Sequence, residues 1–282
     1  MDVNSASLQI IADLLRARTG QHLGPGRMWR IPGALASIFR EHDISNVDQL
    51  VCLLAEPGAD RLAREVVEAL LNNETYFFRD KAMFDMLGEQ VLPRLWQQRA
   101  DQRSLRIWSA GCSSGQELFS LAMMLMAQGD RWQGWQLELI GTDISARIIT
   151  AARRGCFSQF EVQRGLTVAQ MLGYFDQTEE GWCPRDQLRR MVTFREHNLL
   201  DRPPAEGPFD LVLCRNVLLY FDPQTRGRVF DRLREGIAAD GLLMLGAGET
   251  VVGQTERFAP ARDGSGLYVP HTASAAPLRH RA

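Results

Sequence analysis

The chain has 282 residues, 45% hydrophobic and 23% charged, with a formal net charge of −2. This is an ordinary globular composition, long enough for one large or two modest domains. It excludes the strong basic field of a nucleic-acid binder, and no apolar run approaches the ~20 residues of a membrane span.

The N-terminus MDVNSASLQI has neither a charged n-region nor an apolar h-region, so a cytoplasmic location is expected. Ser7–Arg18 places Leu8, Ile11, Leu14 and Leu15 on one helical face. Gly24-Pro25-Gly26 breaks it, short helices are expected at Ala34–His42 and Val47–Ala55, and Pro57-Gly58 breaks the pattern again. Asp60–Leu71 reads as a longer amphipathic helix. Residues 1–70 are therefore expected to form an all-helical domain, followed by a linker helix region over 71–98.

From about residue 100 the pattern alternates between strand and helix, the mark of a parallel, doubly wound sheet. Strands are expected at Leu105–Trp108, Leu137–Gly141, Val192–Glu196, Phe209–Cys214, Leu242–Leu245 and Leu267–Val269. Helices are expected at Gln116–Gln128, Ala146–Arg153 and Pro223–Ala239. The last opens with Asp222-Pro223, an N-cap followed by proline, and Gly241 is expected to terminate it. Tyr174–Arg190 interrupts the alternation with no clear helix and predicts a small antiparallel β insertion at about 174–194. The α/β domain spans 99–270, and the polar tail 271–282 is expected to be disordered.

The five cysteines, Cys52, Cys112, Cys156, Cys183 and Cys214, include no C-x-x-C pair. Neither a metal site nor a disulfide is expected; each reads as a small buried side chain in a reducing compartment.

The segment LRIWSAGCSSGQE, Leu105–Glu117, is a strand, a Gly-rich turn and the start of a helix. Its glycines let the backbone approach a ligand, and the helix N-terminus offers free N–H groups. The next apolar run, WQLELIGTDI, stops at Asp143, placed to accept hydrogen bonds from ribose hydroxyls. The turn spacing Gly111-x-x-x-Gly115 is not the G-x-G-x-x-G of a dinucleotide site. Glu117 would repel a pyrophosphate and attract an ammonium group, which favours S-adenosylmethionine over a dinucleotide.

Further segments occur in order with these: NNETYFFRD from Asn72, HNLL from His197 and CRNVLLYF from Cys214. Together with SAGCSSGQE and GTDIS they make the chain resemble the bacterial chemotaxis receptor methyltransferases, the CheR family, from the N-terminal helices to about Pro270. The resemblance implies a class I S-adenosylmethionine-dependent methyltransferase fold, Rossmann-like, behind an N-terminal helical domain. It implies esterification of glutamate side chains on the cytoplasmic helical bundle of chemoreceptors, with S-adenosylhomocysteine as product. By position, Asn73, Thr75, Gly111, Glu117, Asp143, Asn198, Leu199, Asn216 and Val217 would hold the cofactor. Asn198 and Leu199 would lie near the adenine, and Thr75 would reach the cofactor from the interdomain helix. Arg79 and Tyr220 would stand beside the transferring methyl as catalytic residues, with Arg79 also touching the cofactor. Arg215 reads as a structural ion-pair partner, and Trp108 and Trp135 as packing residues.

Other readings are a methyltransferase acting on another carboxylate acceptor, or a cofactor-binding adaptor that has lost catalysis. The helical N-terminal domain argues against a small acceptor, and Arg79, Tyr220, Glu117 and Asp143 argue against lost catalysis. The chain also departs from the family pattern. Ala34 and Ser37 stand where relatives carry basic residues, thinning the docking patch to Arg27, Arg30 and Arg40. The insertion is short, contains Pro184 and carries Glu179 and Glu180, so no capture of a receptor's C-terminal tether peptide is expected. A monomer is expected.

Overall fold

The computed structural model describes residues 5–262 and 266–271, so the tail read as disordered lies outside them except for His271. The chain begins with α1 (Ser5–Thr19), α2 (Arg30–Ala34), α3 (Ala36–Glu41), α4 (Val47–Leu54) and α5 (Asp60–Leu70). Ile11, Ile31, Leu35, Leu50 and Val66 meet in a small core between them. α4 starts where the Asn46 side chain accepts from the Gln49 N–H, an N-cap that satisfies one orphan donor. Helical structure resumes at Arg30, earlier than the expected Ala34, because Pro32 falls in a first turn where its missing N–H costs nothing.

Expected from the sequence to be helical, 71–80 is irregular, and helix begins only with α6 (Lys81–Met86). Phe78 and Asp80 hold left-handed backbone, φ 51° and 62°, which a continuing α-helix cannot include. A π-helical turn, Leu87–Val91, joins α6 to α7 (Leu92–Gln98).

The second region is a seven-stranded sheet. Its strands are β1 (Ser104–Ala110), β2 (Gln136–Asp143), β5 (Val192–Glu196), β6 (Phe209–Cys214), β7 (Ile237–Leu245), β8 (Phe258–Pro260) and β9 (Leu267–Pro270). The order is β5-β2-β1-β6-β7-β9-β8. The first five are parallel, while β9 runs antiparallel to β7 and β8 antiparallel to β9. Every residue of β6 is buried, as a strand covered on both faces requires. Alternate side chains feed opposite cores: Leu211 and Leu213 pack with Ile107 on one face, Val212 and Cys214 with Trp108 on the other. The helices are α8 (Gln116–Ala127), α9 (Gly129–Trp132), α10 (Ala146–Arg154), α11 (Gln159–Gln163), α12 (Val168–Tyr174), α13 (Asp186–Arg189) and α14 (Pro223–Gly236).

Gly241 does not terminate a helix. α14 ends at Gly236, and β7 runs through Gly241 with a register shift against β6. A Cβ at Gly241 would lie 3.0 Å from the Phe209 carbonyl oxygen, so this crossing needs a glycine. Ile237-Ala-Ala-Asp reads locally as more helix, and sheet pairing overrides that preference.

The interruption is an antiparallel hairpin of β3 (Phe175–Thr178) and β4 (Gly181–Pro184), with α13 following inside the span read as helix-free. The cysteine expectation fails here. Cys156 and Cys183 form a disulfide across a sequence separation of 27, and Cys52 is exposed; Cys112 and Cys214 are buried as expected. Phe157 and Trp182 exchange backbone hydrogen bonds of 2.9 and 2.7 Å, placing the flanking cysteines side by side. Sequence spacing carries no trace of that pairing. Among the described residues no helix is long and apolar enough to cross a membrane.

Candidate active site

The strand order reverses between β1 and β6, and the loops leaving the carboxyl ends of β1, β2, β5 and β6 meet there. Gly111 has φ +87°, and a Cβ on it would come within 2.4 Å of Val217 Cγ2. The loop after β1 and the loop after β6 therefore touch at a point with room only for hydrogen.

Asp143 ends β2. Its Oδ2 accepts from Ser113 N at 2.9 Å and its Oδ1 from Ser145 N at 3.0 Å. Burial pushes this carboxyl above the ordinary range; the backbone N–H groups of Ser145 and Ser113 pull it back, and the Glu68 charge pushes it further up. Glu68, on α5, accepts from the Ser145 hydroxyl and from Arg147 N, so the helical region braces this loop.

Glu117 is already paired within the protein. Its Oε1 accepts from the Ser109 hydroxyl at 2.7 Å and its Oε2 from Arg215 Nη1 at 2.7 Å. Arg215, 98 residues away and with a side chain 2% exposed, also donates through Nη2 to Asp80 Oδ2 and to the Arg79 carbonyl. The expected ion-pair role of Arg215 is what the structure displays, and it joins the first turn of α8 to the loop carrying Arg79.

Asn216 has φ +60°. Its N–H and those of Val217 and Leu218 donate to the Glu249 carboxylate at 2.8, 3.0 and 2.8 Å, and Gly246 N adds a fourth bond. The buried Asn216 Oδ1 and His197 Nδ1 have no partner among the described residues. Asn198 accepts from Leu200 N and donates to the Arg18 carbonyl at 3.4 Å, at the end of α1. The Tyr220 hydroxyl accepts from Asn72 Nδ2 at 2.6 Å, and its carbonyl accepts from His22 N at 2.7 Å. Ser113 donates its hydroxyl to the Asn73 carbonyl, and Arg79 Nη1 donates to the Glu74 carbonyl at 2.8 Å.

Asn73, Thr75, Arg79, Gly111, Glu117, Asp143, Asn198, Leu199, Asn216, Val217 and Tyr220 all line one cleft of about 820 Å³, including its open mouth. Thr75 reaches it from irregular backbone and not from a helix. The sequence reading missed Thr19 and Gln21, which add a wall from the N-terminal region, and Glu249, which supports the cleft from behind. Asn72, which opens the NNETYFFRD motif without an assigned role, lines the cleft as well. The tripeptide Cys214-Arg215-Asn216 drew attention to Arg215, whereas nothing around Glu249 distinguishes it from a surface acid.

The cleft suits an adenosyl amino acid. A buried carboxylate ends β2 where ribose hydroxyls can donate to it, an unpartnered Asn216 carbonyl lines the wall, and the Gly111 turn leaves backbone open to a ligand. Comparison with known proteins agrees. A family model described as "CheR methyltransferase, SAM binding domain" matches residues 73–265. The chain is 30% identical over 256 residues to a chemotaxis protein methyltransferase of Vibrio parahaemolyticus, covering 90% of this chain and 92% of that one. It is 33% identical over 259 residues to chemotaxis protein methyltransferase 1 of Pseudomonas aeruginosa, covering 89% and 92%. A relative from Borreliella burgdorferi is 28% identical over 258 residues, covering 90% and 91%. The fold is that of a class I methyltransferase, the cofactor is S-adenosylmethionine, and the chain belongs to the CheR family of chemotaxis protein methyltransferases.

Proposed function

We propose that this enzyme methylates glutamate side chains on the cytoplasmic helical bundle of chemoreceptors, leaving glutamate methyl esters and S-adenosylhomocysteine. The convergence of Arg79 and Tyr220 on the same cleft as Asp143 and Asn216 carries the reading. When bound, S-adenosylmethionine supplies an electrophilic methyl group on a sulfonium sulfur. A glutamate acceptor needs no general base, since its ordinary pKa near ~4.3 leaves it ionised at neutral pH. It must be stripped of water and held about 3–3.5 Å from the methyl.

Arg79 suits that task. Its Nη1 is tied to the Glu74 carbonyl, so its remaining N–H groups can take one carboxylate oxygen and leave the other to attack. Tyr220, fixed by Asn72, orients the same group from within the same cleft. Asp143 receives the ribose, Asn198 and Leu199 border the adenine, and Asn73, Thr75, Gly111, Glu117, Asn216 and Val217 complete the cofactor wall.

The proposed receptor-docking module is the helical region 1–70, joined through 71–98 to the methyltransferase domain 99–270. Recruitment is proposed to be independent of a tether peptide. β4 pairs with β3 on one side and Phe157 occupies its other side, leaving only the edge of β3 for an added strand. The hairpin turn beside that edge carries Glu179 and Glu180, which repel an acidic peptide. The enzyme is proposed to act as a cytoplasmic monomer.

The test is transfer of labelled methyl from S-adenosylmethionine to a receptor cytoplasmic fragment. Label released as methanol by mild base, and lost with Arg79→Ala while S-adenosylhomocysteine still binds within a few-fold, supports the reading. Base-stable label, or full turnover by Arg79→Ala, sinks it.

A further inference from the structure

The hairpin and the helices before it do more than interrupt the sheet. They press on the loop that carries Arg79. Phe77 in that loop is fully buried, and its ring meets edge-on those of Phe157, just before α11, and Phe175, on β3, at 5.0 and 5.5 Å. Gly165 has φ +110°, and a Cβ there would fall 1.9 Å from the Phe77 carbonyl oxygen, so the turn after α11 lies directly against the loop backbone. That close approach places Arg164. Its guanidinium sits 4.2 Å from the Tyr76 ring centroid and donates to Glu74 Oε1 at 2.8 Å. This hydrogen bond holds the Glu74 carboxyl below its ordinary range. Arg79 leans on the same two residues: its guanidinium lies 5.7 Å from the Tyr76 ring, and its Nη1 donates to the Glu74 carbonyl.

We propose that the hairpin and the segment before it, from Phe157, form a buttress for the catalytic loop and that Arg164 is a positioning residue for Arg79, acting through Tyr76 and Glu74. The proposal rests on the reading of Arg79 given above. Arg164 and Glu74 are 42% and 57% exposed, so their ion pair contributes little to folding. Its consequence lies in geometry, where a misplacement of about 1 Å far from the chemistry can cost on the order of 100-fold in rate. A planar guanidinium can stack flat on a ring while it pairs with a carboxylate; an ammonium is attracted to the ring but has no plane to stack.

Arg164→Ala should lower kcat for receptor methylation about tenfold, with KM for the receptor fragment and S-adenosylhomocysteine affinity within about two-fold, well inside the range that orientation effects span. Arg164→Lys should recover part of the loss. Tyr76→Leu should reproduce the defect and Tyr76→Phe should not, which keeps the proposal testable should Arg164→Ala fold poorly. In an Arg79→Lys background, Arg164→Ala should add little. Wild-type kcat in Arg164→Ala, or a defect confined to KM and relieved at high salt, would overturn the buttress; the latter would make Arg164 a direct contact to an acidic receptor. If Arg79→Ala itself turns over normally, the reading of Arg79 fails instead.

Discussion

The loops after β1 and β6 meet at Gly111 and Val217, yet they are built by opposite means. The first absorbs its left-handed backbone mainly with glycine: Gly111 and Gly115 have φ of 87° and 94°. The second places Asn216 at φ 60° with no glycine beside it. It is held from outside, by a Glu249 carboxylate that takes the N–H groups of Asn216, Val217 and Leu218. A glycine loop carries its own shape, whereas a clamped loop borrows its shape from a residue about thirty positions away. The first should tolerate loss of outside contacts and fail on added bulk; the second should do the reverse.

The largest effect is expected from unclamping. Glu249→Ala strands several buried donors at once, and with each charge-assisted bond contributing about 1.5–3 kcal/mol, a loss of at least ~3 kcal/mol is expected. Thermal unfolding should report it, and S-adenosylhomocysteine titration should show weakened binding. Glu249→Gln, which keeps one acceptor oxygen, should fall between. A melting temperature unchanged by Glu249→Ala would mean the loop holds its own shape and would end the contrast.

Added bulk is the complementary test. Gly111→Ala puts a methyl 2.4 Å from Val217 Cγ2 and should cost about 1–3 kcal/mol, the range for overpacking. Val217→Ala removes the colliding atom, so the double variant should recover part of the loss. No recovery would assign the whole cost to backbone strain at Gly111.

The smallest effect concerns Asp143, which supports the first loop through Ser113 N and closes β2. Burial raises its folded-state value above the ordinary 3.8. Ionising it in the free enzyme therefore costs stability: this contribution is favourable below the unfolded value and is lost as pH rises through the raised one. On the ribose role proposed above for Asp143, the hydroxyls would donate to the ionised form, so cofactor affinity should move the other way, falling as pH drops through the raised value. Calorimetric titration of S-adenosylhomocysteine from neutral pH down into the acidic range should show the trend, and Asp143→Asn should bind more weakly with the slope removed. An unchanged slope in Asp143→Asn would assign the titration to another group.

Legibility followed the same division. β5 and β6 keep the boundaries that the sequence predicts; for β6 the reason is that a short apolar run between turn residues specifies a buried parallel strand locally, while β5 is an edge strand with only Phe194 buried. The cleft-lining residues sit at strand ends or in short ordered motifs, which is why a linear reading could gather them. What escaped depends on distant partners. Glu117 looks like a free carboxylate until Arg215 arrives from 98 residues away. Asn72–Asp80 looks like a helix continuing from α5 until Arg215 and Ser120 fix its left-handed residues. α11 and α12 were not anticipated; their exposed Phe160, Val168 and Leu172 give no clean apolar stripe. Cys156 and Cys183 are joined by a bridge between backbones that sequence spacing cannot reveal.

Thr19 and Gln21 stand in the cofactor cleft although they belong to the helical N-terminal region, and Gln21 bridges Phe221 beside Tyr220. The two halves of the enzyme thus share a wall. On the docking role proposed above for residues 1–70, swapping these helices between relatives would be the route to redirect the enzyme toward a different receptor. Here the swap would also replace part of the cofactor cavity and the strand-like contact that seats Tyr220. A working chimera would have to place its junction before Arg18, or carry residues 18–22 together with their partners at Asn198 and Tyr220, so the N-terminal region of this chain is not a cassette that can be exchanged without retuning the chemistry behind it.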